Sequence, residues 1–176
     1  MKKKLILVLC AVLTCASVFA GDFEVTSGKK TWKSALKKRA TMTLTIDWSK
    51  CEYDEDMPVE EKWEDDYDEI VDYCLEKFTE KFNDKTKRLK IDEDTNEAAY
   101  KMTIKMTNVD SFFSVMDIRM PGYKARISGS VKVVEIETGE MVLQAEFDEL
   151  KGGRDFVHNE CYGKAFEDLA KELADF

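Results

Sequence analysis

The chain has 176 residues, 44% of them apolar, with 36 acidic against 27 basic side chains and a net charge of −9. That length fits one domain around one core. The acidic balance argues against partners that demand clustered Lys and Arg, nucleic acid and anionic membrane surfaces above all.

Lys2, Lys3 and Lys4 open the chain, an uncharged, mostly apolar run follows from Leu5 to Phe19, and Val18-Phe19-Ala20 closes it. A basic start, an apolar middle and a small-residue exit are the pattern of a cleavable export signal. The run of about 15 residues is shorter than the roughly 20 that a spanning helix needs. Cleavage after Ala20 is therefore expected. Cys15, in Val12-Leu13-Thr14-Cys15, leaves lipidation as the alternative, although Thr14 stands where such sites carry Gly, Ala or Ser. Removing residues 1–20 takes Lys2, Lys3 and Lys4 with them. It leaves 156 residues with 24 basic and 36 acidic side chains, a net charge of −12. The expected location is periplasmic or secreted, with a membrane-anchored lipoprotein as the alternative.

Gly21–Arg39 has no strong periodicity, carries the basic cluster Lys29-Lys30 to Lys37-Lys38-Arg39, and allows an edge strand near Phe23–Val25. Met42, Leu44, Ile46 and Trp48 then alternate with Thr41, Thr43, Thr45 and Asp47, a period-two strand. An acidic loop from Cys51 to Glu61 contains Pro58. Trp63, Tyr67, Ile70, Cys74, Phe78 and Phe82 recur at steps of three or four, predicting one long helix that ends near Asn83-Asp84. Leu89–Ile91 reads as a short strand. Tyr100, Met102, Ile104 and Met106 give a second clear strand whose other face is polar. Ser111–Lys124 is expected to be a connecting loop. Ile127 to about Glu135 and Leu143 to Phe147, joined at Thr138-Gly139, predict a hairpin. Tyr162, Ala165, Phe166, Leu169 and Leu173 stripe a final helix over about Asn159–Ala174. Helices spaced along a mostly antiparallel sheet predict an α+β two-layer sandwich, with residues 21–176 as its single domain.

Several stretches carry a resemblance: Ala40–Trp48, Ala98-Ala99-Tyr100-Lys101-Met102, Ile127-Ser128-Gly129-Ser130-Val131, Glu137-Thr138-Gly139-Glu140, and Cys161-Tyr162 through Leu169-Ala170. Together they resemble small uncharacterised exported proteins of Bacteroidetes-type bacteria. The second half distantly resembles envelope modules of the curli-secretion and TolB N-terminal type. The resemblance implies an envelope setting and supplies no catalytic residue.

Chemistry is sparse. His158 is the only histidine, so any Ser–His or Cys–His mechanism would use it. No Gly-x-Ser-x-Gly turn accompanies it. Cys51, Cys74 and Cys161 lack zinc-site spacing. An odd number of thiols in an oxidising compartment allows one disulfide, and Cys51–Cys74 is the expected pair, with three buried thiols as the alternative. The acidic tract Asp54–Glu69 could gather Ca²⁺, and Asp92-x-Asp94-x-Asn96 begins like a calcium loop but has Glu97 where Gly belongs. Phe112, Phe113, Met116 and Met120 form an apolar cluster in an expected loop, where exposure would make a contact patch. The expected function is thus a non-enzymatic exported binding or assembly module, with no cofactor and no catalytic or metal residues. Its envelope partner would meet that loop and a sheet edge. A periplasmic protein binding Ca²⁺ or a small ligand and a hydrolase of unidentified substrate are the alternatives.

Overall fold

The computed structural model describes residues 22–92, 95, 97–114 and 121–176. The expected export signal with Cys15 and Ala20, and Asp94, Asn96, Met116 and Met120, lie outside the described residues.

The strands are β1 (Asp22–Ser27), β2 (Ala40–Asp47), β3 (Glu52–Tyr53), β4 (Met57–Pro58), β5 (Leu89–Ile91), β6 (Tyr100–Ser114), β7 (Gly122–Glu135) and β8 (Met141–Lys151). The helices are α1 (Lys29–Ala35), α2 (Val59–Trp63), α3 (Tyr67–Lys85) and α4 (Glu160–Ala174). The main sheet runs β1-β8-β7-β6-β2-β5, and the small β3–β4 hairpin joins it along β6. β1, β8, β7 and β6 are antiparallel in turn, whereas β2 is parallel to both β6 and β5. This is the α+β sandwich the sequence predicts, with a parallel crossover of the β2–α3–β5 type at one side.

One face of the sheet is dry. Met42 and Leu44, Met102, Ile104 and Met106, Val131 and Val133, and Leu143, Ala145 and Phe147 are buried there. Ile70, Cys74, Phe78 and Phe82 of α3 and Phe166, Leu169 and Leu173 of α4 close over them. Period two in the strands and a step of three or four in the helices give matching apolar faces. The helices approach closely because α4 carries Gly163, where a Cβ would stand 2.5 Å from Tyr73 Cε1. On the other face Thr45, Lys101, Lys105, Lys132 and Glu146 are exposed or half-buried.

Three expectations change. The single long helix is broken: α2 ends at Trp63, Glu64 takes φ 46° and ψ −120°, a 3-10 turn follows, and α3 begins at Tyr67. The break lets Val59 and Trp63 both be buried. The unpatterned basic segment contains α1, docked by Trp32, whose indole N–H donates to Leu173 O at 2.8 Å. The third change bears on the site. Ser111–Lys124 is not one loop, because β6 continues to Ser114 and β7 begins at Gly122. A bulge between Met106 and Asn108 shifts the alternation, so Val109 rather than Asn108 falls on the buried side.

Candidate functional site

Beyond that bulge, β6 and β7 stay paired through Ser111↔Ala125, Phe112↔Lys124 and Phe113↔Tyr123. The segment before α4 folds back onto this end. Tyr123 N–H donates to Asp155 O at 2.7 Å and Asp155 N–H to Tyr123 O at 2.9 Å, an isolated bridge. The bridge brings Phe156, Val157 and His158 beside the strand ends. Phe113 lies 5.1 Å from Tyr123 between ring centroids, and His158 lies 4.9 Å from it. Phe112 is 36% exposed, Phe113 54%, Phe156 68% and Val157 50%. Four of the six exposed large hydrophobics among the described residues are therefore gathered at one end.

Under this rim sits a cluster of hydroxyls around the imidazole. His158 Nε2 is 2.7 Å from Ser111 Oγ. Tyr162 O–H donates to Ser111 Oγ at 3.1 Å, and Tyr53 OH lies at the same distance. Asn159 Nδ2 donates to Asp66 Oδ2 at 3.1 Å, which turns its Oδ1 toward His158 Nδ1 at 3.2 Å. A carboxylate only accepts, so the Asn159 amide is oriented and Nδ1 carries the imidazole proton. Nε2 then offers a lone pair, and Ser111 O–H donates to it. Burial pushes the Tyr162 hydroxyl above the ordinary phenol range.

On the opposite face of the same end, Asp110 is buried and paired with Arg126, directly across the β6–β7 ladder. Arg126 Nε donates to Asp110 Oδ1 at 2.9 Å, and Nη2 to Oδ2, a two-pronged contact. Asp110 raises the Arg126 pKa further through that bonding. The guanidinium also lies 5.3 Å from the Phe112 ring centroid. The pair anchors the strand ends that present the aromatic rim.

Sequence spacing separates the remaining candidates. Phe112 and Phe113 are on a strand, not in a loop, and are exposed as a contact patch requires. Cys51, Cys74 and Cys161 are free and buried, so the expected Cys51–Cys74 bond is not formed here. Burial pushes Cys51 and Cys161 up to about 12 and Cys74 well above the ordinary thiol. Among the described residues, no three His, Cys, Asp or Glu side chains are arranged to hold a metal ion. The acidic tract spreads over the β3–β4 turn, α2, the turn before α3 and the first turn of α3, with Glu60, Glu61, Glu64, Asp65 and Asp66 exposed. Sequence reading passed over Ser111, Tyr53 and Asn159. Ser111 is 47 residues from His158 and 58 from Tyr53, and no local pattern announces the meeting.

No protein-family model matches the chain, and no curated protein matches it. Solved structures do. The chain is similar to the PelC dodecamer of Paraburkholderia phytofirmans, at 13% identity and TM-score 0.48, covering 88% of this chain and 97% of that one. A point variant of the PelC dodecamer from the same organism gives 11% identity and TM-score 0.46, covering 87% and 96%. A protein described as a neuraminyllactose-binding hemagglutinin homolog from Helicobacter pylori gives 14% identity and TM-score 0.38, covering 77% and 87%.

Proposed function

We propose that this chain is an exported, non-enzymatic binding or assembly module of the cell envelope, and that a protein partner docks on the aromatic end of its sheet. The export half of this reading rests on the basic, apolar and small-residue succession of residues 2–20, with release after Ala20 or lipidation at Cys15. The docking half rests on one observation: Phe113, Phe156 and Val157 are exposed at one end of the sheet, from two segments that sequence separates widely, with Phe112 exposed on the other face of the same strand end. Isolated exposed apolar residues are ordinary, but a cluster of aromatic ones marks a contact surface. The rim is also pre-organised by the Tyr123–Asp155 bridge and the Asp110–Arg126 pair, so little ordering entropy opposes docking.

Site-specific photo-crosslinking in the native cell tests this. A photoreactive side chain at Phe113 or Phe156 should give one discrete adduct from the envelope fraction. The same group at Ile136, exposed beside the distant β7–β8 turn, should give none. Equal adducts from all three positions, or none from any, would remove the surface assignment.

A further inference from the structure

We infer that Ser111 is a base-poised hydroxyl that takes an acyl group from an activated ester, the aromatic rim beside it receiving the apolar part of the donor. This goes beyond docking, since it concerns a covalent modification of one side chain rather than capture of a partner. A serine hydroxyl on a strand ordinarily finds a backbone or water partner. Ser111 instead meets three side chains from two separate segments, Tyr53 of β3 and His158 and Tyr162 at the start of α4. The bond at 2.7 Å is the shortest of them and runs to an imidazole nitrogen, whose lone pair can accept the hydroxyl proton.

Asn159 and Asp66 are positioning residues here. They fix which imidazole nitrogen bears the proton, and so leave Nε2 free to act as base. Ser111 Oγ carries two lone pairs, and both accept phenolic O–H groups at rest. Tyr162 is fully buried, while Tyr53 is half-buried. When Tyr53 turns its O–H from Ser111 Oγ to the carbonyl oxygen of an incoming ester, it frees one lone pair. It also donates to the oxygen on which negative charge develops. The bond from Oγ to the carbonyl carbon forms as the bond from that carbon to the leaving oxygen breaks. The Ser111 proton moves to His158 Nε2 and then to the leaving oxygen. The products are an acyl ester on Ser111 and an alcohol, and no other reactant enters. Phe113, which packs on Tyr123, and Phe156 and Val157, which precede His158 in the chain, are exposed at this end, so a donor with an apolar acyl chain fits better than a charged one.

Incubation of the purified protein with p-nitrophenyl butyrate, followed by intact mass and peptide mapping, tests the inference. One butyryl group should appear and map to Ser111. Ser111→Ala should abolish it, and His158→Gln should slow it on the order of 100-fold, the usual contribution of a positioned base. If either variant melts early, the position mapped in the wild type still decides. An adduct on lysine or tyrosine, or no adduct under prolonged excess, would overturn it. None of these readouts depends on the crosslinking result, so the acceptor site and the docking surface can fail separately.

Discussion

The aromatic side chains divide into two regions joined by continuous contact. In the interior, Trp48 packs 5.4 Å from Trp63 and 5.6 Å from Phe166, and Trp63 packs 5.0 Å from Tyr162. From Tyr162 the chain of rings runs outward through His158 and Tyr123 to Phe113, which is more than half exposed. The residue types are alike, and the difference is what lies above them. β6 has 15 residues and α4 also has 15. At roughly 3.3 Å per strand residue and 1.5 Å per helix residue, the strand reaches about 50 Å and the helix about 22 Å. The helical layer therefore cannot cover the whole strand. α4 begins at Glu160, beside the site, and beyond it, among the described residues, the short returning segment with Phe156 and Val157 pairs with the strand end. Exposure at this end thus follows from element lengths and not from a defect in packing.

That contrast can be broken most directly in the interior. Phe78 is fully buried and stacks 6.1 Å from Phe82 on the covered face. Phe78→Ala removes the ring and leaves a cavity that the two helices cannot close, so it should cost about 3–5 kcal/mol. Urea titration measures it. A loss below about 1 kcal/mol would mean that the covered face packs no better than the exposed one.

Tyr162 stands at the boundary, and its replacement should have an intermediate effect. Its ring is buried and its hydroxyl holds Ser111. Tyr162→Phe keeps the ring and deletes the bond, which should cost about 1 kcal/mol. It should also change the response to alkali. Burial holds this hydroxyl protonated above the ordinary phenol range. The unfolded chain releases that proton near pH 10. A folded pKa raised above the unfolded one gives stability that is complete below about pH 10 and is lost as pH rises through the folded value. Denaturation at pH 8 and pH 11 should therefore show a smaller alkaline loss in Tyr162→Phe than in the wild type. Equal losses would place the alkaline weakness elsewhere, for instance in the three buried thiols, whose raised pKa values carry the same sign.

Much of the interior is legible in the sequence, and little of the boundary is. Met42 and Leu44, Met102 to Met106 and the Thr138-Gly139 hairpin are repeated alternations, and the buried stripes of α3 and α4 are equally periodic. Periodicity reports one apolar face, and that suffices for the covered side. It fails where the period shifts. The bulge at Met106/Asn108 breaks the alternation, so Ser111–Ser114 reads as loop although it continues β6. Glu64, at φ 46°, interrupts a stripe that would otherwise run unbroken from Trp63. The cluster at Ser111 was beyond reach for a different reason. It depends on the register of β6 against β7 and on the return of residues 155–158, and both are tertiary facts. Phe112 and Phe113 were legible as unusual because an apolar cluster is unexpected in a loop, and in the structure they point to opposite faces, toward Arg126 and toward Tyr123.

The smallest expected effect sharpens the comparison most. Phe113→Ser, at a position 54% exposed, should change stability by no more than about 0.5 kcal/mol, the range of ordinary surface substitutions. Its ring does touch Tyr123, and an edge contact of this kind contributes about 0.5–1.5 kcal/mol beyond area. With more than half of the ring left in water even when folded, that contribution should stay at the low end of its range. Phe156→Ser, at 68% exposed, should behave likewise. Thermal melts of both variants beside Phe78→Ala give the reading. Two unchanged melting temperatures would show that folding does not need these rings, leaving a contact made with another molecule as the reason for their exposure. A loss comparable to that of Phe78→Ala would show instead that the aromatic end is a continuation of the core, and the docking surface would then have to be sought elsewhere on the sheet.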